Sequence, residues 1–556
     1  MRFKTISSLE KCFLDDNFDD KSEFKKASCF KNEIFRFGVC YTSDKQEVFL
    51  LHINSQINKF ITVKAIGHVP VQKAAEINNH DDYYLRICPG IYPDILLPLG
   101  NKNRITASEN LQSLFIEVTA DKSITAGTYP IEISFVSESD ASLVYKTVFE
   151  LDIINAVLPE QKVKYTQWFY CDCLMDYYGT SAFDERHWEI IENYMRTAVK
   201  YGINMILTPV FTPPLDTYIG GERSTTQLVA VKIQDGKYYF DFTKLERWIS
   251  LCEKCGIRYF EISHFFTQWG AEHAPKIIAQ CDGQQKRIFG WDTDASGNEY
   301  IEFLSQFIPQ LLKILKKCGV DERCYFHISD EPTENSVKQY KKLINIIEPL
   351  LEGHTIIDAV SDYCFYESGI VKNPIPSTNC LEKFIENNVS ELWTYYCCGQ
   401  SDDYYSNRFI SMPSARNRII GIQMYKYNIS GFLHWGYNYY NNRYSYDRIN
   451  PFLYPDSNYF GCAGDSFSVY PSNDGTAYES LRLAVFHDAL QDIRAFELCE
   501  KLYGRDYVIN IIEDGISPVT FNRYPHGERY ILSVRERINS AVKQAVSDFN
   551  RSNMEK

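Results

Sequence analysis

Between residues 30 and about 155, apolar and polar positions alternate in short runs. They are IFRFGVC (34–40), QEVFLLHI (46–53), KFITVKA (59–65), SLFIEVT (113–119), TYPIEISFV (128–136) and VYKTVFELDI (144–153). Turn residues such as Gly127 separate them, and no long amphipathic helix intervenes. The pattern predicts an N-terminal all-β sandwich over residues 1–158. Such a domain can bind carbohydrate or simply pack against its neighbour. Leu158-Pro159-Glu160 reads as the linker.

From about residue 163 the period changes to strand, then helix, repeatedly. Candidate strands are YTQWFYC (165–171), INMILTPVF (203–211), IRYFEIS (257–263), CYFHIS (324–329), TIIDAVS (355–361), ELWTYYC (391–397), GFLHWG (431–436) and FSVYPS (467–472). Helical patterns lie between most of them. Residues 186–202 place Trp188, Ile191, Tyr194 and Met195 on one face, with Gly202 as stop; 300–319 and 336–353 behave alike. Eight strands alternating with helices predict a (β/α)8 TIM barrel over 159–505. A helix over 479–504 and a charged one from about 531 follow. Residues 506–556 are expected to form a mostly helical extension packed on the barrel.

Composition narrows the function. Aromatics are 15% of 556 residues, with 40 Tyr and 35 Phe. That suits stacking on sugar rings, and equally a genome rich in A and T. A net charge of −14 argues against nucleic acid and anionic membranes as partners. The 17 Cys show no zinc spacing and read as free thiols of a reducing compartment. No apolar run is long enough to span a membrane, and no signal core precedes residue 18. The expectation is a cytoplasmic protein without metal or organic cofactor.

The candidate chemistry sits after CYFHI, where Ser329-Asp330-Glu331-Pro332 ends a strand in two adjacent carboxylates. Neighbouring like charges raise each other's pKa. Such a pair suits a site that uses two acids in different protonation states, as glycosidic cleavage requires. An Asp-Glu-Pro can also cap the next helix. Active sites of TIM barrels lie at the C-terminal strand ends, and aromatic and polar residues gather there. Trp168, Tyr170 and Asp172 follow the first strand; His264, Gln268 and Trp269 the third. Trp393, Tyr395 and Tyr396 lie on the sixth; Trp435, Tyr437 and Asn438 on the seventh. Trp168, Asp172, His264, Trp393, Tyr395, Trp435 and Asn438 are the expected substrate contacts.

QWFYCDCLMDYYG (167–179), GINMILTPVFTPPLDT (202–217), FEISHFFTQWGAEHAPKI (260–277), HISDEP (327–332), ELWTYYCCG (391–399), GFLHWGYN (431–438) and LRLAVFHDALQDIRAFELCEKL (481–502) together resemble the catalytic domain of glycoside hydrolase family 123, in the family's order. The resemblance implies a retaining exo-β-N-acetylgalactosaminidase acting on terminal β-linked N-acetylhexosamine. Through HISDEP it implies Asp330 and Glu331 as the catalytic pair in substrate-assisted cleavage, with Glu331 as acid and base. Gln400 departs from the proline expected after CCG. The alternatives are another β-hexosaminidase, a conventional retaining enzyme with Asp358 or Glu391 as nucleophile, and a glycan-binding protein without catalysis.

Overall fold

The structure, a computed structural model, describes residues 1–100, 102–268 and 270–554. Its N-terminal part is two facing sheets. One contains Arg2–Ser7, Glu33–Thr42, Gln112–Ala120, Ile61–Val71 and Gly90–Pro98; the other contains Lys26–Lys31, Val144–Val157, Gly127–Ser137, Glu47–Asn54 and Arg104–Ala107. Inward side chains of both, among them Phe37, Val39, Leu51, Ile133 and Phe149, form one core. All six expected strands are present, joined by four that the alternation did not single out.

The second half carries a curled parallel sheet. Its strands are β1 (Lys164–Gln167), β2 (Met205–Thr208), β3 (Tyr259–Ile262), β4 (Cys324–Phe326), β5 (Thr355–Ile356), β8 (Trp393–Tyr395) and β9 (Gly431–His434), in the order β5-β4-β3-β2-β1-β9-β8. Between its two edges lie β6 (Asp358–Ala359) and β7 (Pro374–Ile375), paired in parallel, and a bridge from Ser377 to Tyr395. Buried residues such as Tyr165, Leu207, Phe260 and Phe326 belong to one hydrophobic core. Helices α1 (Glu185–Lys200), α3 (Asn298–Lys317) and α4 (Val337–Ile347) follow the strands they were expected to follow, and α2 (Thr243–Cys255), which was not singled out, precedes β3. The Asp184 carboxylate caps α1 by accepting from His187 N, which holds one of the orphan donors of the first turn.

One expected strand is corrected. Residues 467–472 do not enter the parallel sheet. Tyr470–Pro471 pairs antiparallel with Ala477–Ser480, and that strand extends the N-terminal sheet beside Gly90–Pro98. The two halves are therefore stitched through a shared sheet. Helix α5 (Leu481–Tyr503) runs behind this seam, buried on nearly every side over its first half. Ion pairs cross the same boundary: Arg482 with Asp94 at 2.8 Å, Lys200 with Glu117 at 3.1 Å, and Arg36, which also pairs with Glu117 inside the sandwich, with Asp488. The C-terminal helix α6 (Glu528–Met554) packs on α5 and on sandwich strands Lys26–Lys31 and Val144–Val157. A further four-stranded sheet, outside the expected pattern, is formed by the segments that follow β2 and β3. All 17 cysteines are free thiols, and no helix among the described residues is long and apolar enough to cross a membrane.

Candidate active site

Beyond β4 the chain keeps pairing with the segment after β3, since Phe266 N donates to Ile328 O at 3.0 Å. Ser329 Oγ donates to Thr267 O at 2.8 Å. The regular pleat then ends: Glu331 is left-handed, with φ 44°. In an extended strand neighbouring side chains point to opposite faces. The turn at Glu331 removes that constraint, and both carboxylates line a single cavity of about 280 Å³, together with Trp168, Tyr395 and Trp435. The helix-capping alternative is excluded. The turn at Glu334–Ser336 is capped by Thr333, in a reciprocal box with Ser336.

Each acid has its own surroundings. Glu331 accepts a hydrogen bond from Tyr395 Oη at 2.7 Å. Burial pushes the Asp330 carboxyl well above the usual carboxylate range, and the charges of Glu331, Asp216 and Asp358 add to this while His327 opposes it. His327 is wholly buried between two carboxylates, with Nε2 2.7 Å from Glu261 and Nδ1 3.1 Å from Asp358. Burial disfavours its charge, but those two hydrogen bonds outweigh it and lift the imidazole to about 9. The floor of the site thus carries a fixed cation directly beneath the strand tip. Asp358, also bonded to Tyr340 and to Ile328 N, is spent on this network and is not placed as a nucleophile. Glu391 is exposed at the N-terminal end of its strand.

Of the other expected contacts, Trp168, Tyr395 and Trp435 reach the cavity. Trp168 is pinned by donating to Glu261 at 2.6 Å, and Trp435 by donating to Asp465 at 3.1 Å. Four do not reach it. Asp172 opens a helix just past β1 and is buried in a bidentate pair with Arg223 at 2.6 and 2.7 Å. Asn438 clamps two strand tips by bonding both N and O of Tyr170. Trp393 lies at the N-terminal end of β8, packed on Gly431, where any side chain would collide with its ring. His264 lies beneath the floor, stacked on His327 at 4.2 Å, with neither ring nitrogen partnered. Burial and the neighbouring imidazolium push its pKa well down. Trp269 lies outside the described residues.

The cavity also contains groups the sequence did not mark. Asp216, φ 45°, follows the Pro213-Pro214 loop after β2. Burial, Glu331 and Asp465 push it up to about 7 against the pull of Arg223. Gln268 fixes that loop by accepting from Asp216 N at 2.8 Å, and leaves its Nε2 without a partner. Cys397 and Cys398 form one wall, and Arg443 and Tyr444 the mouth. Donor atoms of His264, His327 and Asp358 lie within 4.8 Å of one another. Both His327 nitrogens are already held by carboxylates, so that ring has no lone pair to offer a metal.

A parallel-sheet enzyme with two acids and aromatic walls at the strand tips defines a glycoside hydrolase. The model of the glycoside hydrolase 123 catalytic domain matches residues 168–499; the chain belongs to that family. No curated protein matches it. Among solved structures, a family 123 glycoside hydrolase from Clostridium perfringens, described for glycolipid glycan hydrolysis, aligns with TM-score 0.72 at 15% identity, over 100% of this chain and 99% of that one. A family 39 glycoside hydrolase from Bacteroides cellulosilyticus WH2 aligns with TM-score 0.32 at 11% identity, over 84% and 81% of the two chains.

Proposed function

We propose that the enzyme is a retaining exo-β-N-acetylgalactosaminidase in which the substrate's own 2-acetamido group is the nucleophile. The observation that supports this reading is the shared cavity of Asp330 and Glu331, two neighbouring acids presented by a single strand tip. Glu331 gives its proton to the glycosidic oxygen as the C1–O bond breaks. The acetamido oxygen bonds to C1, forming an oxazolinium. Asp330 accepts a hydrogen bond from the amide N–H and stabilises its developing positive charge. Water, deprotonated by Glu331, then opens the ring at C1, and two displacements leave the configuration retained.

The proton balance of the pair follows from its surroundings. In the protein alone, burial and the neighbouring carboxylates favour the protonated form of Asp330. An amide N–H gives Asp330 a donor that rewards ionisation, and the proton becomes available to Glu331. Trp435 serves as the apolar floor of the sugar, and Asp216 and Gln268 Nε2 meet its hydroxyls. The β6–β7 ladder and the Ser377–Tyr395 bridge support reading the curled sheet as a closed (β/α)8 barrel, with β7 as the strand the sequence did not show.

The test is a release screen against 4-nitrophenyl β-glycosides of GalNAc, GlcNAc, galactose and glucose. Turnover confined to the two acetamido sugars, with GalNAc preferred, is expected. Turnover only of sugars lacking the acetamide would overturn the mechanism.

A further inference from the structure

We propose that Arg443 reads an anionic group, a carboxylate or sulfate, on the sugar at the leaving-group side of the scissile bond. The inference rests on the hydrolase reading above and adds a substrate class to it. Arg443 is the one cation lining the catalytic cavity among the described residues. The protein carries a net charge of −14, and three carboxylates line the same cavity, so an unneutralised guanidinium there stands out. Arg443 forms no ion pair with a carboxylate among the described residues. It is exposed, lies 4.7 Å over the Tyr444 ring and donates to Tyr444 Oη at 3.0 Å. It is not among the charges that move Asp216. Its free edge is therefore available to a ligand at the mouth, not committed to the catalytic acids.

The loop that presents it is built, not loose. Tyr444 and Ser445 are both left-handed, with φ 58° and 57°, a conformation that persists only where surrounding contacts over-determine it. Those contacts are present. Ser445 Oγ donates to Asp216 O at 2.8 Å, and Tyr218 N donates to Tyr444 O at 3.1 Å. Asp447 N donates to Asn442 Oδ1 at 2.8 Å across the loop base. The cation is thus tied to the backbone of Asp216, inside the catalytic site. A guanidinium fork matches a carboxylate or sulfate in two hydrogen bonds. A neutral sugar at this place gives it nothing comparable.

The experiment uses the full chain and three disaccharides: the preferred N-acetylhexosamine β-1,4-linked to glucose, to glucuronic acid and to glucose 6-sulfate. Wild-type kcat/KM should favour at least one acidic substrate over the neutral one by about tenfold at low salt, and the ratio should shrink as salt rises. In Arg443→Ala the ratio should fall to about one, and Arg443→Lys should keep part of it. The two acidic arms tell carboxylate from sulfate. A wild-type ratio of one for both, or a ratio unchanged in Arg443→Ala, overturns this inference and leaves the hydrolase reading standing. Failure of wild type to cleave any of the three, or any nitrophenyl N-acetylhexosaminide, overturns that reading itself.

Discussion

Glu331→Gln isolates the proton from the rest of the site. The amide keeps the size of the carboxylate and still accepts the 2.7 Å hydrogen bond from Tyr395, so the cavity keeps its shape. What is lost is the transferable proton and one charge. General acid–base catalysis is worth about 10²–10⁴ in rate, or roughly 3–5 kcal/mol of barrier. That loss must depend on the leaving group. A sugar or alkyl alkoxide needs protonation and should lose about 10³-fold or more; 2,4-dinitrophenolate does not, and its release should fall by less than about tenfold. The second step loses its base, so the variant should stall after one turnover. Azide needs no deprotonation and should restore turnover, giving the β-glycosyl azide. Rates with the two leaving groups and the anomeric proton NMR of the azide product check this. Equal losses for both leaving groups, or an α-azide, would refute the assignment: the α-product would make the mutated residue a nucleophile.

Asp330→Asn removes the anion facing the amide N–H. It should lower kcat by about 10²–10³ and weaken inhibition by a thiazoline mimic of the oxazolinium; retention of most activity in a nitrophenyl assay would count against substrate assistance. His327 has a folded pKa of about 9, above the unfolded value of about 6.5. Its stabilisation is complete below about pH 6.5 and is lost as pH rises to about 9, by at most ~3 kcal/mol. Urea midpoints measured over that window should fall in wild type and stay flat in His327→Gln, which is itself destabilised by about 3–5 kcal/mol because two buried carboxylates lose their cation. The double variant Asp330→Asn, Glu331→Gln should be inactive yet more stable than wild type by about 1–2 kcal/mol; a lower calorimetric melting temperature would show that the acid pair is not held at a cost.

That Asp330 and Glu331 would share a cavity was legible because the signal is local: two acids and a proline after an apolar run need no partner to be read. Sandwich strands were legible where alternation was clean. Gly90–Pro98 was not, because Pro93 and Pro98 deny it a regular ladder; Pro93 pairs with His68 where the register of that ladder shifts. FSVYPS looks like any buried strand, but its partner Ala477–Ser480 joins the sheet of Gly90–Pro98, far away in sequence. β7 has two residues, too few for any periodicity. Polar residues at strand tips misled wherever the fold spends them internally. Asp172 on Arg223 and Asn438 on Tyr170 make contacts that no pattern announces. Asp216 and Arg443 went unmarked for the converse reason. Both belong to loops whose left-handed residues place them at the cavity, and left-handed non-glycine residues have no composition signature.

Those left-handed residues explain how one strand tip can hold two acids. A regular strand would send one of two neighbours into the core, where an unpaired carboxylate is prohibitive. At Glu331 the backbone turns instead, although a residue before proline ordinarily favours the extended region. The site therefore combines backbone strain with like-charge repulsion in a single dipeptide. Neither persists unless the surroundings hold it. Here the hold comes from the β3 extension bonded to Ile328 and Ser329, from Tyr395 on Glu331, and from the buried Glu261–His327–Asp358 line below. Only Tyr395 of these touches a catalytic acid. The others fix the approach of the chain, and the imidazolium offsets charge the acids would otherwise bear alone. On the proposed mechanism, a substrate amide supplies a donor that lets Asp330 ionise. On that reading, a sugar carrying an acetamide relieves a strain that a sugar without one leaves in place.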